Sequence, residues 1–129
     1  MAGPNVAQVD IYIENTVTAG TDVTTKQEFL RPGHWYIEQI QFTPDHTLAT
    51  SATNYRTVTL TNVTDSVTLH TFVTTTTATA AGTPLVATLT EGTARILSQS
   101  DQLSMAIIGS GTGGILSGTY SLQLTQRPG

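Results

Sequence analysis

Apolar side chains recur at every second position in several short segments, and no segment carries the 3.6-residue period of an amphipathic helix. The alternation is clear at Val9, Ile11 and Ile13, and it returns within residues 103–107 and 120–124. A period of two places successive side chains on opposite faces of a strand. The pattern therefore predicts an all-β chain whose strands each bury one face.

Threonine occupies 27 of the 129 positions, whereas charged residues make up only 11% of the chain. Threonine is β-branched, which favours strands, and its hydroxyl can face either water or a partner. A soluble monomer usually carries more charge on its surface. The composition therefore predicts a strand-rich protein that is packed against a partner.

The length fits one domain with one core. We predict an N-terminal arm at residues 1–7 and a single antiparallel two-sheet β-sandwich at residues 8–129. The side chains expected in its core are the apolar members of the alternating segments: Ile11, Ile37, Val58, Leu60, Leu69, Leu89, Leu103, Met105, Ile107, Leu122 and Leu124.

One segment changes phase in its middle. Trp35 and Ile37 fall on one face of a predicted strand, but Ile40 and Phe42 fall on the other. A β-bulge inserts one residue and so reverses the phase. We therefore predict a bulge near residues 38–39.

Further strands are predicted at residues 56–60 and 67–73, which should form a hairpin, and at residues 85–89. A weaker strand is predicted around Val17. The glycine-rich run 109–114 leads into another strand rather than a helix, so it is interpreted as a hairpin turn and not as a phosphate-binding loop.

No catalytic, cofactor-binding or metal-binding residue is predicted. The chain has no cysteine, and His34, His46 and His70 lack the short spacings of a metal site. The pair Asp45-His46 could orient an imidazole, but no strand-turn-helix elbow presents a nucleophile. With five cationic side chains and a formal charge of −4, nucleic acid is not expected as a partner. No membrane span or signal peptide is expected either.

Aromatic side chains leave two alternatives open. Trp35 together with Tyr12, Tyr36, Tyr55 and Tyr120 could form an exposed row that binds sugar. Packing in the core or anchoring of an interface are the other uses of such residues. A carbohydrate-binding module therefore remains an alternative function.

Seven segments occur in the order found in a family of small phage proteins: Phe42-Thr43-Pro44-Asp45, Asn54-Tyr55-Arg56-Thr57-Val58-Thr59-Leu60, Ala81-Gly82-Thr83-Pro84, Leu89-Thr90-Glu91-Gly92-Thr93-Ala94-Arg95, Asp101-Gln102-Leu103, Gly109-Ser110-Gly111-Thr112-Gly113 and Gly118-Thr119-Tyr120. Over residues 40–124 the chain thus resembles bacteriophage capsid decoration proteins, also called cement or head-fibre proteins.

The resemblance implies a jelly-roll sandwich without an active site. It also implies a protein that binds the major capsid protein on the outside of the head, often as a homotrimer. Such a protein would be made in the host cytoplasm and end on the virion exterior. A phage tail or host-recognition protein could carry a similar sandwich, so that alternative stays open.

The N-terminal arm is the segment predicted to contact the partner. Gly3 and Pro4 suppress regular structure, and Val6 is the only sizeable apolar side chain after Met1. Such a segment buries too little surface to order itself, but it could add a strand to a partner's exposed edge. We therefore predict partner contacts from Pro4, Asn5 and Val6, with a frayed terminus of no function as the alternative.

Overall fold

The computed structural model describes residues 8–15, 22–89, 95–110 and 116–127. Within these residues the chain forms nine strands: β1 Gln8–Asn15, β2 Val23–Glu28, β3 His34–Pro44, β4 Tyr55–Asn62, β5 Val67–Val73, β6 Leu85–Val86, β7 Ile96–Ser98, β8 Gln102–Ser110 and β9 Gly118–Arg127. The predicted arm and the predicted strand around Val17 lie outside the described residues.

The strands form two antiparallel sheets. The five-stranded sheet has the order β1-β9-β3-β6. On the side of β3 that faces away from β9, β7 pairs with the N-terminal part of the strand and β6 pairs with its C-terminal part. The four-stranded sheet has the order β2-β8-β4-β5. With β6 and β7 counted as one interrupted strand, the chain passes between the sheets in the order of a jelly roll. The predicted sandwich is confirmed.

The core lies between the sheets. Eight of the eleven predicted core residues are buried, and the other three, Ile11, Leu69 and Leu89, are half-buried against the same cluster. The cluster also contains buried side chains that the prediction omitted: Ile13, Phe29, Trp35, Ile40, Phe42, Ala87, Leu97, Leu116 and Tyr120. The omitted aromatics include the largest of the buried apolar side chains.

The bulge in β3 is confirmed. The register between β3 and β9 shifts between Ile37 and Gln39, so Glu38 is the extra residue. Arg95 donates from Nε and Nη2 to the Ile37 carbonyl at 3.0 and 2.7 Å, and its guanidinium lies 4.3 Å from the Tyr36 ring centre. The bulge allows all of the apolar side chains of β3 to face the core.

Two local predictions were wrong, and one strand was missed. The strand predicted at residues 85–89 is limited to Leu85–Val86. The glycine-rich run does not close a hairpin, because β8 and β9 belong to different sheets. β2 was not predicted at all, because it carries one apolar residue followed by five polar ones. The predicted hairpin of β4 and β5 is present.

A buried charge fixes one end of the four-stranded sheet. The Arg56 side chain is only 2% exposed, and its Nη1 lies 3.2 Å from Oδ1 of Asp22. The same oxygen accepts a hydrogen bond from the Gly109 amide at 2.7 Å. The carboxylate therefore joins β4 and β8 just before the start of β2.

Candidate functional site

The described residues contain no group of three or more histidine, cysteine, aspartate or glutamate side chains that could hold a metal ion. His34 contacts Ser98, with 3.0 Å between Nδ1 and Oγ. The nearby Asp101 carboxylate accepts from the Ser98 amide and from Asn62 Nδ2, each at 3.0 Å, and so anchors the turn before β8. His34 and Ser98 are thus a surface pair whose neighbouring carboxylate is engaged elsewhere.

His46 and Asp45 are not an acid–base pair. The Asp45 carboxylate accepts a hydrogen bond from the Ser117 hydroxyl at 2.9 Å, and the Asp45 amide donates to the Ser117 carbonyl. The carbonyl of His46 accepts from the Thr79 hydroxyl. These contacts tie the loop after β3 to neighbouring segments, which is a structural use.

The third histidine lies between the sheets. His70 Nδ1 is 2.8 Å from the buried Tyr120 hydroxyl, and the two rings meet edge to face. Burial lowers the pKa of His70 and raises the pKa of Tyr120. The pair is therefore a neutral contact that connects β5 of one sheet to β9 of the other.

Of the two uses left open for the aromatic side chains, packing in the core applies to Trp35 and Tyr120. Trp35 is only 4% exposed, donates from Nε1 to the Pro32 carbonyl at 3.0 Å, and packs edge to face on Phe29. Tyr120 is fully buried. Tyr12, by contrast, is 56% exposed on the five-stranded sheet.

The outer face of the four-stranded sheet is almost free of charge. We call it the threonine face, and its accessible outward side chains are Thr24, Lys26, Glu28, Tyr55, Thr57, Thr59, Thr61, Thr71, Val73, Gln102, Ala106 and Ile108. Its two charged members both lie on the edge strand β2. Across the other three strands the surface consists of hydroxyl, methyl and amide groups with one phenol.

The strand register places these threonines in rows. Thr24, Ala106, Thr59 and Thr71 are successive partners across all four strands. The hydroxyls of Thr59 and Thr71 are 3.1 Å apart, so part of the hydroxyl surface is tied together within the sheet. The threonine face is thus a preorganised surface made of short, stiff side chains.

The outer face of the five-stranded sheet contains a groove of about 330 Å³. We call it the glutamine groove, and its lining residues are Asp10, Tyr12, Gln39, Gln41, Thr43, Thr119, Ser121, Leu122 and Gln123. The lining comes from β1, β9 and β3. The sequence prediction missed this site. The alternation in the sequence indicates that these side chains face outward, but it does not indicate that β1, β9 and β3 are neighbours.

Comparison of the sequence with protein-family models and with curated proteins finds no match. The resemblance to capsid decoration proteins therefore remains a prediction. Among the described residues, no helix is long and apolar enough to cross a membrane. The predicted partner contacts of Pro4, Asn5 and Val6 fall outside the described residues.

Proposed function

We propose that this chain is a non-catalytic structural protein that decorates a bacteriophage head by placing its threonine face on the major capsid protein. The observation that carries the proposal is the composition of that face: among its described residues only Lys26 and Glu28 are charged, and both lie at one edge. The sequence resemblance supplies the identity of the partner.

Covering a protein surface with a partner costs free energy, because polar groups lose hydration and side chains lose conformational freedom. Charged groups lose their hydration when a partner covers them, which is unfavourable unless each is paired. Lysine and glutamate are accordingly depleted at interfaces. Threonine loses little side-chain freedom on contact because its χ1 is already restricted. A partner can thus cover the threonine face with a smaller loss of hydration free energy and side-chain entropy than it would need to cover a typical charged surface.

A decoration protein also needs only modest affinity at each site. Symmetry repeats the contact over the shell, and copies that bind one another gain from effective concentration. We therefore propose a homo-oligomer, with the trimer implied by the resemblance, made in the host cytoplasm and located on the virion exterior. The arm formed by residues 1–7 is proposed as a second contact through Pro4, Asn5 and Val6.

The fold does not decide the function, since jelly rolls occur in viral capsid and lectin domains alike. The experiment that tests the proposal uses purified heads that lack this protein, to which purified protein is added. Quantitative mass spectrometry then counts the bound copies per head. Hundreds of bound copies per head support a head protein. Failure to bind these heads, together with a handful of copies in complete virions, would indicate a tail position.

A matched pair of variants tests the face. Thr59→Lys places a charge at the centre of the threonine face, and Gln41→Lys places the same charge on the central strand of the opposite sheet. We expect T59K to bind heads at least about tenfold more weakly, because an unpaired ammonium group would be covered, while Q41K binds normally. Equal binding of T59K and wild type, at equal melting temperatures, would refute the proposed orientation.

A further inference from the structure

We propose that the glutamine groove is a binding site for a neutral oligosaccharide. The inference concerns the face opposite to the proposed capsid contact and does not depend on that contact. Three strands that are distant in sequence, β1, β9 and β3, bring glutamine amides and hydroxyl groups together in this groove.

The register of β1, β9 and β3 sets the groove in two rows. Asp10, Gln123 and Gln39 are successive partners in one row. Tyr12, Ser121 and Gln41 form the next row, so an aromatic ring and a carboxylate stand side by side on β1. Neighbouring strands lie about 4.8 Å apart, so the side chains of each row stand next to one another on the outer face of the sheet.

The polar side chains of the groove are not used by the protein itself. Within the part of the chain that the structure describes, the side chains of Asp10, Gln39, Gln41, Ser121 and Gln123 make no hydrogen bond to another residue. A glutamine amide offers one acceptor and two donor hydrogens, and a hydroxyl offers both functions. The groove thus presents donors and acceptors together, as vicinal hydroxyls require.

The charge of the groove excludes other ligand classes. Among the residues that the structure describes, its lining contains one carboxylate, Asp10, and no cationic side chain. Phosphate, sulfate and carboxylate ligands are therefore disfavoured, since such anions are bound by arginine or lysine. An apolar ligand would cover these amides without satisfying them, which is costly. A neutral polyhydroxylated ligand fits both restrictions.

Tyr12 supplies the remaining element of the site. Its ring is 56% exposed although the residue lies within a sheet, and a planar apolar ring with a polar tip suits the C–H face of a pyranose. The groove volume of about 330 Å³ lies at the lower end for ligand sites. A second depression of about 510 Å³ shares Gln39 and Gln123 with the groove, but it also contains Glu38 and Arg95, so we confine the proposed site to the groove, which has room for one or two sugar units.

The test is NMR titration of the ¹⁵N-labelled full chain with neutral oligosaccharides: maltotetraose, cellotetraose, N-acetyllactosamine and chitotetraose. We expect at least one of them to produce saturable shifts confined to β1, β9 and β3. Tyr12→Ala should weaken that binding at least about tenfold. Tyr55→Ala removes a phenol from the threonine face and should leave the affinity unchanged.

Three results of the titration would overturn the inference, and a fourth comes from the protein alone. The three are no saturable shift with any of the four probes, shifts that map outside the groove, and equal weakening by Y12A and Y55A. If the groove residues shift with protein concentration alone, the groove is a contact between copies, and the inference is wrong. Head binding by Y12A separates the two proposals. If Y12A loses sugar binding but still binds heads with the normal copy number, the groove binds sugar independently of the capsid contact.

Discussion

Replacing Tyr120 by phenylalanine removes the hydroxyl that touches His70 across the core, while the ring keeps its place 5.0 Å from the Phe42 ring. The lost contact is a 2.8 Å hydrogen bond, and its net contribution is about 1 kcal/mol. His70 is half-buried rather than fully enclosed, so we add no large desolvation term for it. We therefore expect Y120F to lower the free energy of unfolding by about 1 kcal/mol.

Urea denaturation at pH 8 measures this change, and Tyr12→Phe is the matched control. Y12F removes the same hydroxyl from an exposed ring and should cost less than about 0.5 kcal/mol. With a urea dependence of about 1–3 kcal/mol per molar, the Y120F midpoint should fall by about 0.3–1 M. If Y120F costs no more than Y12F, the contact between the sheets does not stabilise the fold.

The same histidine predicts a pH dependence. Burial lowers the pKa of His70 in the folded chain below the value of 6.5 that it has when unfolded. The unfolded chain therefore takes up a proton first, so the stability due to neutral His70 is complete above about pH 6.5 and is lost as the pH falls towards the folded pKa. His70→Gln should flatten the decline between pH 7.5 and 5.5. An unchanged slope in H70Q would contradict this assignment.

Two further variants test local features. Gly109→Ala should cost about 1–3 kcal/mol in urea denaturation, because a Cβ there would overlap the guanidinium of the buried Arg56. A cost below about 0.5 kcal/mol would show that Arg56 moves aside freely. Arg95→Met removes both donors to the Ile37 carbonyl and should cost about 1–3 kcal/mol, whereas an unchanged melting temperature would show that water replaces the guanidinium.

The sequence predicted the features that depend on local pattern. The alternation in β1 and β8 led to the sandwich, and the phase change between Ile37 and Ile40 led to the bulge. β2 was missed because only one of its inward positions is apolar: these positions hold Val23, Thr25 and Gln27. They pair with buried residues of β8, but by themselves they show no apolar alternation. Tertiary context, rather than local preference, makes this segment a strand.

The candidate sites depend on contacts that are distant in sequence. Asp10 pairs with Gln123, and the next row brings Gln41 to Ser121. Outward side chains can be recognised from alternation, but their neighbours follow from the jelly-roll strand order, which local periodicity does not encode. The glutamine groove could therefore not be predicted, whereas the excess of threonine already indicated a weakly charged contact surface.

Cryo-electron microscopy of heads saturated with the wild-type protein tests the central claim most directly, because it shows which face of the sandwich touches the shell. The account predicts density for the four-stranded sheet against the major capsid protein, with Thr59 and Ala106 within the contact and Tyr12 facing outward. Density with the five-stranded sheet against the shell, or no density on the head at all, would contradict it.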